Sequence, residues 1–518
     1  MALNRNIIKL GLIISVLAFA ISGLPVAAAR ADGEGTLRLG WASADITPEG
    51  SVLISGQLHA RVSEGVRDPI TATALALESV RGDQPVRFVM VSCDLITISE
   101  DILATVREHL RRDLPDLDPT SVMLFATHTH SAPLTSLRRR YRPEAEADDL
   151  PYGIELDVVA PADYVGFAGE RIARAVKEAW NSRAPGAVAF GLGHAVVGRN
   201  RLVAYRDGRS RMYGAVNNRN FSHIEGYEDH ALHVLTTYDA EGELTGMILN
   251  LACPSQVSER EYRVSADFWH ETRQELRRRF GDELFVLAQH GPAGDQSPRI
   301  LVDRRAEERM FRLAGINQRQ AIAVRIADAV EAIRPLIEKE IETDPVLTHR
   351  VETLELPRRR LSERDAERAA SAADGYRQTY ERLKRELEED DAERTGRWYH
   401  DISRAYRRKR WNRGVVERHA IQEEHPHIEV EIHVARLGGV AFASSPFELY
   451  LDFGVQIRGR SRAVQTFLVQ LAGPGSYLPT ERSVRGGAYG AVPASTEVGP
   501  ESGRILVDWT VDAINGMW

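Results

Sequence analysis

Four short stretches of the chain carry residue types able to do chemistry. In Ala126-Thr127-His128-Thr129-His130-Ser131-Ala132-Pro133 an apolar segment runs straight into two histidines two positions apart. If the strand persists, both imidazoles point to one side. Two imidazoles presented together suit a metal ligand beside an acid/base group; a pair of hydrogen-bonded structural histidines is the alternative. In Gly291-Pro292-Ala293-Gly294-Asp295-Gln296-Ser297-Pro298 a Gly-rich turn follows the apolar run ending at Ala288. Such a turn exposes backbone N–H groups and the Ser297 hydroxyl at the carboxyl edge of a sheet, where sites commonly form. Ser297 is then a nucleophile or a hydrogen-bond donor to substrate, unless the segment is only a tight turn; His290, just ahead of it, carries the same ambiguity. Ser444-Ser445-Pro446-Phe447-Glu448 again follows an apolar run, and Glu448 is either a carboxylate ligand or an acidic residue favoured near a helix N-terminus. Tyr477 and Tyr489, each framed by Gly and Pro between Gly473 and Gly490, belong to a structured loop in which tyrosines usually pack.

These residues must be positioned by the elements before them. Arg87–Cys93, Ser121–Ala126 and Leu284–Ala288 are short apolar runs of the kind that form buried strands. Helical patterns lie between and after them, over Ile102–Leu114, Ala162–Trp180, Trp269–Phe280 and about 318–337. The alternation predicts an α/β body with mixed sheets flanked by helices. From Leu361 to about Glu424 the chain is dense in Arg, Glu and Ala, with Tyr376, Tyr380, Leu383 and Leu387 on one helical face. This segment reads as a helical insertion, either a solvated hairpin or, because Trp398, Tyr399, Tyr406 and Trp411 lie among its charges, a docking arm for a partner or an anionic surface.

Composition narrows the function classes. The 518 residues hold 66 Lys plus Arg against 74 Asp plus Glu, a net charge of −8, with 43 % hydrophobic residues. These are globular values, and the acidic balance argues against general nucleic-acid binding, which needs a basic face. Two cysteines cannot make a disulfide framework. Arg5, Lys9, the apolar run Leu10–Ala20 and Ala27-Ala28-Ala29 read as a signal peptide over residues 1–31. They predict a secreted or periplasmic protein with no membrane span after cleavage.

Taken in order, the four stretches resemble the catalytic domain of the neutral/alkaline non-lysosomal ceramidase superfamily. The resemblance also takes in Gly40-Trp41-Ala42-Ser43-Ala44-Asp45-Ile46-Thr47-Pro48, Val91-Ser92-Cys93-Asp94, Asn200-Arg201, Asn250-Leu251-Ala252-Cys253 and Ser265-Ala266-Asp267-Phe268. It spans nearly all of residues 36–518 apart from the insertion at 361–424, and implies a ceramidase-like α/β fold. It further implies an exported zinc-dependent hydrolase that cleaves an amide bond of an N-acyl lipid or related N-acyl compound. By motif position His128, Glu448 and Tyr477 match metal ligands, His130 a proton-handling partner, Ser297 a nucleophile or substrate contact, and Arg201 and Tyr489 groups that steady the carbonyl oxygen.

The chain also departs from that pattern. A second histidine ligand is expected where Ala252-Cys253-Pro254-Ser255-Gln256 stands. Cys253 can supply a thiolate, which zinc accepts; His270 or His290 can take its place from a nearby turn; or the metal is lost. Cys253 is either protected by burial or paired with Cys93. The immunoglobulin-like domain that follows the catalytic body in these ceramidases is expected to be absent, which weakens the case for a membrane-lipid substrate. A different ester, amide or carbohydrate-linked substrate on the same fold, and a metal-free binding protein, are the competing functions. An amidohydrolase barrel is set aside, because its HxH sits on the first barrel strand.

Overall fold

In the computed structural model the chain divides into Met1–Glu34 and Gly35–Trp518. The structure describes residues 37–80, 85–136, 150–389 and 394–518, so the signal-peptide reading of residues 1–31 lies outside the described residues. Among them, no helix is long and apolar enough to cross a membrane.

The body is mixed α/β, and among the described residues no sheet closes into a barrel. The first sheet runs Val122–Ala126, Val86–Cys93, Thr71–Ser79, Leu37–Asp45, Ala184–Pro185 in spatial order. Side chains on its strands alternate faces, as the two-residue period of a strand requires, and the two faces differ in size. Ala72, Ala74, Ala76, Val89, Val91 and Cys93 turn one way. That small face takes the helices Glu100–Asp113 and Pro161–Asn181, whose buried stripes include Ile102, Val106, Leu110, Ile172 and Val176. At Gly40 a Cβ would run into the Ala179 carbonyl of the second helix, so only glycine allows this approach.

Leu75, Leu77, Phe88, Met90, Met123 and Phe125 turn the other way, into a central layer with Leu235, Ile248, Leu287, Phe442 and Phe467. The latter come from two further sheets. The second runs Phe285–His290, Leu244–Leu251, Ala231–Tyr238, Ala187–His194; the third runs Leu347–Pro357, His427–Leu437, Val440–Ser445, Gln465–Gln470. The helices Phe268–Phe280 and Gln318–Ile337 cover the second sheet, and Leu451–Arg460 and Pro500–Asn515 cover the third.

Each large sheet holds one parallel strand pair. These are Val86–Cys93 with Val122–Ala126, Leu244–Leu251 with Phe285–His290, and Val440–Ser445 with Gln465–Gln470. Loops leaving the carboxyl ends of such pairs are where open α/β sheets build sites. All four chemistry-bearing stretches are among these loops.

Residues 361–424 contain two helices, Glu363–Glu389 and His400–Ile421. They are pinned to the body rather than free in solvent. Tyr380 Oη donates to the Gly153 carbonyl at 2.6 Å, Ser403 Oγ accepts from Ala60 N at 3.0 Å, and Trp411 stacks on Tyr489 at 5.7 Å. Tyr399 and Tyr406 are buried. The aromatic residues of this segment are used against the body, and one of its faces walls a cavity.

Candidate active site

His128 and His130 meet, but not through strand alternation. The strand ends at Ala126, and His128 adopts a left-handed backbone with φ 61°, a conformation uncommon outside glycine and worth a functional question. Thr127 N and Thr129 N are fixed to the Cys93 and Leu95 carbonyls at 3.0 and 3.2 Å. The kink turns the rings edge to face, with Nε2 to Nε2 at 3.3 Å.

Below this loop, buried Asp94 accepts two bonds from Arg273, at 2.7 and 3.0 Å, and one from Thr127 Oγ1 at 3.2 Å. Asp267 plays the same part for the loop after Cys253, accepting from Val257 N and Ser258 N. Asp94 and Asp267 belong to the stretches that carried the resemblance; their work is to hold loops.

Two minor ladders set the remaining groups. Glu448–Leu449 pairs with Tyr477–Leu478 in parallel, Glu448 directly beside Tyr477. Gln296–Ser297 pairs with Arg199–Asn200, which brings Arg201 into the same corner. Glu448 Oε2 lies 3.5 Å from His128 Nε2 and 3.5 Å from Arg201 Nη2. Arg201 is buried and spends its Nη groups on Gly294 O (2.9 Å), Tyr477 Oη (3.3 Å), Tyr213 Oη (3.2 Å) and Gln256 Oε1 (3.2 Å).

Burial opposes ionisation of Glu448, but His128, Arg201 and the Tyr477 hydroxyl outweigh it and hold the carboxyl below its ordinary value. Burial, with the neighbouring His128, Arg61 and Arg201, holds His130 well below the usual imidazole range, so it is neutral. Burial and the Glu448 charge push the Tyr477 phenol well up.

His128 Nδ1 lies 2.6 Å from the Ile96 carbonyl. A carbonyl can only accept, so Nδ1 carries the proton and Nε2 presents its lone pair to Glu448. Two acceptors facing each other at 3.5 Å call for a cation between them or a second proton on the ring. Tetrahedral ligands bonded at about 2.0–2.1 Å stand about 3.3–3.4 Å apart, so the His128–Glu448 spacing accommodates a zinc-sized ion. Among the described residues, no group of three or more His, Cys, Asp or Glu stands in metal-holding geometry.

The expectation that Cys253 supplies a thiolate finds no support here. Its side chain continues the buried row Met247, Leu249, Leu251 into the apolar cluster with Val197 and Phe268. Its Sγ donates to the Pro254 carbonyl, and burial raises the thiol well above its ordinary value. Cys93 and Cys253 are both buried and free, with no disulfide between them. His270 sits in the first turn of Phe268–Phe280, outside the cavity lining. His290 does reach the cluster, stacked on His128 at 5.5 Å with its ring against the Gln470 amide.

Ser297 is 1 % exposed. Its Oγ accepts from Tyr213 Oη at 3.2 Å and from Arg299 N at 3.2 Å; among the described residues no hydrogen bond joins it to a histidine or carboxylate. Tyr213 (φ 54°), Gln256, Glu259 and Arg61 are site residues that the sequence reading missed. Gln256 Nε2 donates to His130 Nε2 at 2.6 Å, and Arg61 Nη2 donates to the His130 carbonyl at 2.5 Å. Glu259 Oε2 lies 4.0 Å from His130 Nδ1. Tyr489 crosses Tyr477 edge-on at 6.1 Å. His128, His130, Arg201, Glu448, Tyr477 and Tyr489 all line one cavity of about 840 Å³.

No protein-family model matches the sequence, and no curated protein matches it. Solved structures do. Neutral ceramidase from Pseudomonas aeruginosa superposes with a TM-score of 0.63 over 94 % of this chain and 75 % of its own, at 19 % identity. A ceramidase complexed with C2 matches with a TM-score of 0.63 over 93 % of this chain and 75 % of its own, at 18 % identity. The chain therefore has a ceramidase-like fold.

Proposed function

We infer that the protein is a zinc-dependent hydrolase of the ceramidase type, cleaving the amide bond of an N-acyl lipid or related N-acyl compound. The convergence of His128, Glu448, Tyr477 and Arg201 in one cavity carries this inference; the ceramidase-like fold supports it. His128, Glu448 and Tyr477 would hold a zinc ion, which would supply Lewis acidity toward a carbonyl and lower the pKa of a water. The chain's own groups do the rest. The Ile96 carbonyl orients His128. His130, kept neutral, handles the proton that passes to the departing amine, while Glu259 beside Nδ1 offsets the charge that develops on the ring. Arg201 brings a fixed positive charge and Tyr489 a hydroxyl toward the carbonyl oxygen as it becomes negative.

Ser297 acts through Tyr213: its hydroxyl holds the phenol that, with Gln256, holds Arg201. Water is then the attacking group. Residues 1–31, with Arg5, Lys9 and the apolar run after them, support export.

The test is the metal content of the purified protein by mass spectrometry, wild type beside His128→Ala. About one zinc per wild-type chain, lost in the variant, is expected. A wild type that holds no metal even after zinc is supplied overturns the mechanism and leaves a ceramidase-like fold used for binding.

A further inference from the structure

The cavity above His128 has a charge that its chemistry does not require. Seven arginines line it against two glutamates, Glu259 and Glu448, in a chain whose net charge is −8. Arg61 and Arg201 belong to the catalytic floor. The other five, Arg260, Arg299, Arg404, Arg407 and Arg408, line the walls around it, and three of them come from the inserted helix His400–Ile421.

How these wall arginines are held matters. Arg404 pairs with Asp401 at 3.1 Å. Arg299 lies over the Tyr213 ring at 4.9 Å, Arg407 over Tyr152 at 5.3 Å and Arg408 over Trp411 at 5.1 Å. Among the described residues no carboxylate is ion-paired to Arg260, Arg299, Arg407 or Arg408. A guanidinium resting on an aromatic face is oriented by that face, yet keeps its N–H edge for an oxyanion. Several such edges around one cleft raise the local concentration of anions and select for them. Aliphatic lining is sparse, limited to Leu58, Ile96, Leu134 and Met212.

We propose that the substrate is an anion: an N-acyl compound carrying a phosphate, sulfonate or carboxylate group, bound by Arg407, Arg408, Arg299 and Arg260 while the amide lies over His128. The insertion is then the element that gives this fold its substrate class. The identity of the reaction rests on the hydrolase reading above; the preference for an anion does not.

The experiment compares amides of one acyl chain that differ only in the head group: N-acylethanolamine as the neutral member, and N-acylglycine, N-acyltaurine and N-acyl-O-phosphoethanolamine as anions. Hydrolysis by the zinc-loaded full chain is followed by mass spectrometry, and binding is followed in parallel by calorimetry. At least one anion is expected to exceed the neutral amide in kcat/KM by about tenfold or more, the worth of one charge-assisted hydrogen bond. Its KM is expected to rise with added salt. In Arg407→Gln/Arg408→Gln, and separately in Arg260→Gln, that preference falls, mainly through KM. Because Arg260 is exposed, its variant also serves if the double variant folds poorly.

Equal or better hydrolysis of the neutral amide, with no salt dependence, overturns the proposal and leaves the hydrolase standing. Salt-sensitive binding of an anion without hydrolysis of any amide overturns the hydrolase and leaves the anion site standing.

Discussion

Replacing Asp94 by Asn tests how the histidine loop is held. The carboxylate is fully buried and receives five bonds: Arg273 Nη1 (2.7 Å) and Nη2 (3.0 Å), Thr71 N (2.9 Å), Thr71 Oγ1 (3.1 Å) and Thr127 Oγ1 (3.2 Å). Asn keeps the shape, removes the charge, and turns one acceptor into an N–H₂ facing donors. Arg273, 6 % exposed, is left with a buried charge and no carboxylate. Removing one partner of a buried pair costs about 3–5 kcal/mol, a large share of a domain stability of about 5–15 kcal/mol. Arg273→Met strands the opposite charge and should cost a similar amount. The double variant has no stranded charge and should cost clearly less than the sum of the singles. Equilibrium unfolding in urea measures all three, with thermal scans at several rates as a check on reversibility. A loss below about 1 kcal/mol for Asp94→Asn, or strict additivity in the double variant, refutes the reasoning.

The remaining predictions are shorter. Gly56 has φ 101° and its Cβ would press on the His130 ring, so Gly56→Ala should cost about 1–3 kcal/mol in unfolding and depress kcat; unchanged kcat would mean that His130 tolerates displacement. Tyr213→Phe removes a hydroxyl that joins Arg201, Gln256 and Ser297 and should lower kcat/KM about ten- to a hundredfold. On that background Ser297→Ala should add little, whereas a further loss of about a thousandfold or more would mark Ser297 as the nucleophile. Burial, with Arg458 nearby, lowers His233 to about 4. Its folded value lies below the unfolded one, so stability is complete above pH about 6.5 and falls by up to about 3 kcal/mol as pH drops toward about 4. His233→Gln should flatten that part of a pH series of urea midpoints, and an unchanged slope would contradict the assignment.

Much of this is legible in the sequence. The alternation of Ala72, Ala74 and Ala76 with Leu75 and Leu77 marks a strand with one helix-facing and one sheet-facing side, and the α/β class follows from such runs. The fate of Cys253 could have been read as well. The two-residue period through Met247, Leu249 and Leu251 points position 253 into the same apolar layer, where a thiolate is disfavoured.

Other features could not be read. The left-handed turn at His128 has no local signal beyond the end of the apolar run, and it reverses the geometric basis on which two histidines at i and i+2 were expected to converge. Arg407 and Arg408 sit in a basic run that reads equally as a solvated face. Their place in the cavity depends on contacts such as Tyr380 with Gly153 and Ser403 with Ala60, which are separated by hundreds of residues. Tyr213, Gln256 and Glu259 are brought to His130 and Arg201 in the same way, by tertiary structure alone.

The central claim is tested most directly by following amine release from an N-acyl substrate with wild type and Glu448→Gln, both zinc-supplied and equally folded. The account predicts equimolar amine and carboxylic acid from the wild type, and a loss of at least about a hundredfold when the carboxylate is replaced, with zinc content falling in parallel. Amine release that survives unchanged in Glu448→Gln, or a zinc-loaded wild type that cleaves no amide of either charge class, would contradict it.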